Sequence, residues 1–133
     1  MGKDETQNTV IIVDDDADLL NLLIFAFKAK KLDVKGFVNG KEALAYLLEE
    51  KNLQEVRLLV LDRILPDMDG LDILKKIQTQ SIRPPVLILS TLSAEKDVLS
   101  GLKEGAIDYV TKPFSLQIFM QKALSLMSRS HDQ

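Results

Sequence analysis

Two kinds of apolar segment alternate along the whole chain: short unbroken runs of Val, Ile and Leu, then longer stretches in which apolar residues recur at helical spacing. No other feature narrows the fold as far. A run without polar residues fits a parallel strand covered by helices on both faces, because both sets of alternating side chains must then be apolar. Val10 to Val13, Leu58 to Leu61 and Val86 to Leu89 are such runs and are read as central strands. Two weaker segments, around Val34 to Val38 and Ile107 to Val110, are shorter or interrupted by polar residues, which suits the edges of a sheet. Between them, Leu19, Leu22, Leu23 and Ala26 mark one helical face, Leu44, Leu47 and Leu48 a second, Ile73, Leu74 and Ile77 a third, and Val98 and Leu102 a fourth. A last helix is read from about Ser115 to Arg129. Alternating βα units with right-handed crossovers predict an α/β fold, a doubly wound (βα)5 sandwich around a five-stranded parallel sheet of order 2-1-3-4-5.

A chain of 133 residues is long enough for one core without disulfide or metal staples. The reading is a flexible segment over 1–8, one domain over 9–129 and a tail over 130–133. The absence of Cys excludes disulfides, thiol nucleophiles and zinc-thiolate sites and fits a reducing, cytoplasmic location. A net charge of -3 is not the basic footprint of a nucleic-acid binder. The apolar runs are too short to span a bilayer, so direct membrane contact is not expected either.

In a doubly wound sheet the ligand crevice lies beyond the carboxyl ends of the strands, beside the switch point in strand order. The residues just past each strand are Asp14 and Asp15, Asn39 and Gly40, Asp62, Ser90 and Thr91, and Lys112. The order 2-1-3-4-5 puts the acidic groups on neighbouring strand ends, where they raise one another's pKa values unless a cation offsets them. Hard oxygen ligands in a small crevice suit Mg²⁺, which keeps several waters and leaves one carboxylate free as a nucleophile. Asp62 is the residue placed for that role. Lys112 and the Ser90 hydroxyl would hold phosphoryl oxygens as point charge and hydrogen-bond donor.

Each of these residues also has an ordinary structural explanation. Asp16, in the run Asp14-Asp15-Asp16, is read as the cap of the first helix. Pro66 and Gly70 read as turn punctuation, Ser90 as a solvated strand end, Lys112 as a surface charge and His131 as a tail residue. What the ordinary readings do not explain is the convergence of Asp14, Asp15, Asp62, Ser90 and Lys112 on one rim.

Val13-Asp14-Asp15-Asp16, Leu61-Asp62 followed by Pro66 and Met68-Asp69-Gly70, Ser90, and Lys112-Pro113-Phe114 together resemble the receiver domains of two-component response regulators. The resemblance covers nearly the whole chain and implies a flavodoxin-like sheet. It implies that Asp62 accepts a phosphoryl group from a sensor histidine kinase, a phosphotransfer protein or a small phosphodonor. It further implies that Asp15, Asp62 and the backbone carbonyl of Ile64 ligate Mg²⁺ with Asp14 acting largely through water, and that the Lys112-Pro113 bond is cis. Ser90, with Thr91 beside it, and Tyr109 become the switch residues: the hydroxyl moves toward the phosphoryl group and the ring turns inward behind it. The fourth helix, fifth strand and fifth helix form the surface that changes.

Ile64 and Leu92 are apolar at two positions flanking the path of water to the phosphorus, where many receivers carry polar residues. Asp97, Gly101-Leu102, Gly105-Ala106 and Asp108-Tyr109 are shared with receivers that head winged-helix regulators, but Ile118 and Lys122 stand where those carry Glu and Arg. Self-association through the last helix is nevertheless expected, since Leu116, Ile118, Phe119, Met120, Ala123, Leu124, Leu126 and Met127 are apolar around more than one face. Phosphatases of the haloacid-dehalogenase type need a second Asp two residues after the nucleophile, and here that residue is Ile64, so the chain is read as a signalling switch and not an enzyme. No glycine-rich phosphate loop follows the first strand, which removes nucleotide binding. The remaining alternative is a degenerate receiver acting as an unphosphorylated interaction module.

Overall fold

The computed structural model describes residues 7–131. Five parallel strands, β1 (Thr9–Val13), β2 (Asp33–Phe37), β3 (Val56–Leu61), β4 (Val86–Ser90) and β5 (Asp108–Thr111), form one sheet of order β2-β1-β3-β4-β5. The unbroken runs lie in β1, β3 and β4, the interior strands, and the weaker segments are the edges, as the alternation predicts. The helices are α1 (Ala17–Lys28), α2 (Gly40–Leu47), α3 (Gly70–Gln78), α4 (Glu95–Lys103) and α5 (Leu116–His131), with an additional single turn at Glu50–Leu53 that the spacing does not announce. Of the terminal segments expected to lie outside the domain, residues 1–6 and 132–133 fall outside the described residues, while α5 continues to His131.

The pleat divides the apolar side chains between two cores. Ile11 and Val13, Leu59 and Leu61, and Val86 and Ile88 face one way, toward Ala43, Leu47, Ile73, Leu74 and Ile77 of α2 and α3. Val10 and Ile12, Leu58 and Val60, and Leu87 and Leu89 face the other, toward α1 and α5. Phe27 of α1 and Phe119 of α5 meet edge to face there, with ring centroids 6.2 Å apart. Each such buried side chain contributes about 1.5–3 kcal/mol by leaving water.

Three helical faces differ from the spacing. In α1 the buried residues are Leu20, Leu23 and Phe27, whereas Leu22 is 45% exposed, so the sheet-facing stripe is rotated from the expected one. In α2, Ala43 and Leu47 are buried and Leu48 is exposed. In α4 only Gly101 is buried, Val98 is half-buried and Leu102 exposed, so this helix rests lightly on the sheet. The surplus of apolar residues in α5 is also largely accounted for. Phe119, Met120, Ala123, Leu126 and Met127 are buried between the sheet and α1, which leaves Ile118 as the one strongly exposed apolar side chain of the expected set. Among the described residues, no helix is long and apolar enough to cross a membrane.

Candidate functional site

The sheet's hydrogen bonding continues one residue past its strands and so fixes the rim. Asp14 N–H donates to the Phe37 carbonyl at 3.0 Å, Asp62 N–H to the Val13 carbonyl at 3.0 Å, and Lys112 N–H to the Ser90 carbonyl at 2.9 Å. These bonds carry the side chains of Asp14 and Asp62 to the same end of the adjacent strands β1 and β3, and Lys112 to the same end of β5, one strand beyond β4. The Lys112 ammonium lies 2.7 Å from Asp14 Oδ2 and 2.9 Å from Asp62 Oδ2. The second oxygen of each carboxylate is also held: Asp14 Oδ1 accepts from Asp16 N–H at 2.9 Å, and Asp62 Oδ1 from Ile64 N–H at 3.0 Å. Asp14 and Asp62 are buried and Asp15 is exposed at the mouth.

Burial pushes the Asp14 carboxyl above its usual value, against the opposing pull of the Lys112 ammonium and the Asp16 amide. For Lys112, burial alone would lower the pKa, but the carboxylates of Asp14 and Asp62 more than offset it and hold the ammonium above its ordinary value. The lysine therefore stays charged, and among the described residues it is the cation paired with these two buried carboxylates. Asp14, Asp15 and Asp62 could together hold a divalent ion, because one oxygen of each lies within 4.8 Å of the others and all are hard donors. Lys112-Pro113 is a cis peptide bond, as the resemblance implies.

Ser90 and Tyr109 meet on the main chain of one residue, Leu92. The Leu92 N–H donates to Ser90 Oγ at 3.2 Å, and the Tyr109 hydroxyl donates to the Leu92 carbonyl at 2.6 Å. Ser90 is fully buried, and the Tyr109 ring lies inward against the core beside Gly101. A hydroxyl that accepts from an amide keeps its own hydrogen free to donate elsewhere. Thr91 is exposed, Leu92 half-buried and Ile64 49% exposed.

The segment between β3 and α3 closes the site from one side. Ile64 bridges Asp69 in antiparallel fashion, Gly70 N–H donates to the Arg63 carbonyl at 2.8 Å, and Asp69 caps α3 by accepting from Leu71 N–H at 2.9 Å. Gly70 sits so close to the acceptor that a Cβ there would lie 2.2 Å from the Asp62 carbonyl oxygen. Asp16 caps α1 through the amides of Asp18 and Leu19, its expected ordinary role.

Two residues of this segment escape sequence reading. Arg63, which the sequence analysis does not single out, is only 8% exposed: its Nη1 donates to the Asp97 carbonyl at 2.9 Å and to Ser100 Oγ at 3.3 Å. Its Nε is buried without a hydrogen-bond partner, 3.9 Å from Asp69 Oδ1. Asp67, beside the turn residue Pro66, is the other: its carboxylate accepts from the amides of Gly40 and Lys41, both at 2.8 Å. No local pattern announces either bond, because the partners are 26 or more residues away along the chain.

The model of the response regulator receiver domain family matches residues 10–124. Among curated proteins, the transcriptional regulatory protein TrcR of Mycobacterium tuberculosis is 39% identical over 91% of this chain and 46% of its own length. The alkaline phosphatase synthesis transcriptional regulatory protein PhoP of Bacillus subtilis is 32% identical over 91% of this chain and 49% of its own. The chain thus spans about half the length of the curated relatives it matches. Among solved structures, the receiver domain of the Francisella response regulator 1452 superposes with a TM-score of 0.82 at 32% identity, covering 93% of this chain and 99% of the other.

Proposed function

Since the chain belongs to the response regulator receiver domain family, we propose that it takes a phosphoryl group onto Asp62 from a sensor histidine kinase, a phosphotransfer protein or a small phosphodonor. The single observation that supports this most is the arrangement of Asp62: a buried carboxylate with one oxygen on the Ile64 amide and the other on the Lys112 ammonium. A carboxylate oxygen attacks phosphorus, the new O–P bond forms as the donor's P–N or P–O bond breaks, and the leaving group takes the electron pair. The Lys112 ammonium then faces a phosphoryl oxygen, and the free hydrogen of Ser90 is available to another. Asp14, Asp15, Asp62 and the Ile64 carbonyl would hold Mg²⁺, which supplies positive charge against the phosphoryl oxygens. The intact set speaks against a degenerate receiver. Mass spectrometry after incubation with acetyl phosphate, with and without Mg²⁺, tests the reading.

The reading extends to output. When the Ser90 hydroxyl turns to a phosphoryl oxygen, its hold on the Leu92 amide changes, and with it the position of the Leu92 carbonyl that anchors Tyr109; a ligand shifts such an equilibrium by its differential contact with the two states. Amide resonances from Ala94 to Tyr109 are therefore expected to move when a beryllofluoride mimic is added. Unmoved resonances reject the route. Sedimentation of the same sample tests self-association, which now rests on Ile118 of α5 with Leu99 and Leu102 of α4 and Ile107 of the turn between α4 and β5, all exposed. A strict monomer in both states rejects that part.

A long-lived phosphoryl group is also expected. On this reading the exposed Ile64 side chain and the half-buried Leu92 would flank the acceptor and, being apolar, would offer water no hydrogen bond to hold it in line, and positioning is a large part of phosphoryl-transfer catalysis. Ile64→Asn should speed loss of the phosphoryl group about tenfold, within the range of a positioned polar group, at unchanged Mg²⁺ occupancy. Unchanged or slower decay places control of the lifetime elsewhere, for example at Thr91.

A further inference from the structure

We propose that Asp67 is a positioning residue for the metal site: by clamping the loop after β3 onto the start of α2, it holds the Ile64 carbonyl where Mg²⁺ needs it. The inference rests on the Mg²⁺ reading above. Both ends of this loop are secured close to the acceptor, at Ile64 N–H on Asp62 Oδ1 and at Gly70 N–H on the Arg63 carbonyl. Its apex, Leu65 to Met68, has a different support. Leu65 is buried, and the Met68 side chain packs against Gly40 so closely that a Cβ there would collide with its Cγ and Sδ. The polar anchor of the apex is Asp67, with one carboxylate oxygen on Gly40 N–H and the other on Lys41 N–H, each at 2.8 Å.

An ordinary helix cap does not account for this arrangement. Asn39 already caps α2, its Oδ1 accepting from Glu42 N–H at 2.9 Å. The Lys41 amide bond lies on the exposed surface, where water serves an amide at little cost. The helix therefore gains less from the contact than the loop, whose apex Asp67 ties to a rigid element across 26 residues of sequence. The bonds from Gly40 and Lys41 also hold the Asp67 carboxyl below the usual carboxylate range, so the clamp stays charged at neutral pH. A ligand carbonyl three residues upstream inherits the loop's position. Groups that orient metal ligands from behind typically change affinity by about 10- to 100-fold when removed.

Calorimetric titration of Mg²⁺ into the wild type, Asp67→Ala and Asp67→Asn tests the clamp, with amide spectra and metal-free thermal unfolding recorded on the same samples. Asp67→Ala is expected to raise the Mg²⁺ dissociation constant about tenfold, the low end for such groups, and Asp67→Asn, which keeps one acceptor oxygen, to fall between it and the wild type. Spectral changes should centre on residues 40–41 and 64–70. A variant that melts earlier yet binds Mg²⁺ as tightly as the wild type overturns the inference and leaves Asp67 as a structural cap. A wild type that binds no Mg²⁺ overturns the metal reading and this inference with it.

Discussion

Asp62→Asn is expected to yield a folded chain that acquires no phosphoryl label from acetyl phosphate at any Mg²⁺ concentration. The carboxamide oxygen can take over the bond from Ile64 N–H, so the loop keeps its anchor. What is lost is the nucleophile, because an amide's lone pair is delocalised and its oxygen carries no full charge. The Lys112 ammonium keeps Asp14 as partner at 2.7 Å, which is why the fold should survive. Intact-mass measurement separates the outcomes: equal labelling of the variant moves the acceptor elsewhere, and an unlabelled wild type in the presence of Mg²⁺ refutes phosphorylation at this site.

Lys112→Met should be nearly as damaging, and for stability as well as for chemistry. It strips the cation from two carboxylates whose side chains are only 2% and 6% exposed. Breaking a buried pair from one side costs about 3–5 kcal/mol, and the partly exposed ammonium argues for the lower end, about 3 kcal/mol at neutral pH. Labelling should fall about 10²- to 10³-fold, the usual effect of removing one donor to a charged transition state.

The pH dependence has a definite sign. Lys112 has its pKa raised in the fold, so its contribution is complete below its ordinary value of 10.5 and disappears as the pH climbs through the raised one. Asp14 is an acid with a raised pKa, so the folded chain binds its proton more readily than the unfolded chain does; stability falls as pH rises from 3.8 through the raised value. Without the ammonium that second effect grows. The deficit of Lys112→Met against wild type, measured by urea unfolding, should therefore shrink on acidification and also when Asp14→Asn is added. A deficit equal at neutral and mildly acidic pH, and unrelieved by Asp14→Asn, rules out unpaired buried charge as its cause.

The interior strands were legible because a parallel strand covered on both faces admits almost no polar residue, and Val10 to Val13, Leu58 to Leu61 and Val86 to Leu89 show none. The same abundance hid the helix faces. From Leu19 to Phe27 every residue but Asn21 is apolar, so spacing alone does not say that Leu20, Leu23 and Phe27 turn inward and Leu22 and Phe25 outward. In α5 the apolar surplus suggested an open interface, whereas α1 lies on the same side of the sheet and takes up most of it.

At the site, the convergence of Asp14 and Asp62 followed from topology, since β1 and β3 are neighbours, while Lys112 reaches both carboxylates from the same rim one strand beyond β4. The clamp by Asp67 and the inward course of Arg63 did not, because each depends on how a loop meets a distant helix. Gly70 read as turn punctuation, but its backbone lies against the backbone of Asp62, where a side chain has no room.

Ser90 and Tyr109 grip Leu92 by its main chain alone, one at the amide and the other at the carbonyl. The side chain at this position is therefore free to change without severing the connection. In the proposed switch this separates two properties that selection can act on independently. On that proposal, substituting the Leu92 side chain would retune how long a signal lasts while its main chain continued to carry the signal outward, so receivers on this plan would diverge in timing and keep one means of transmission.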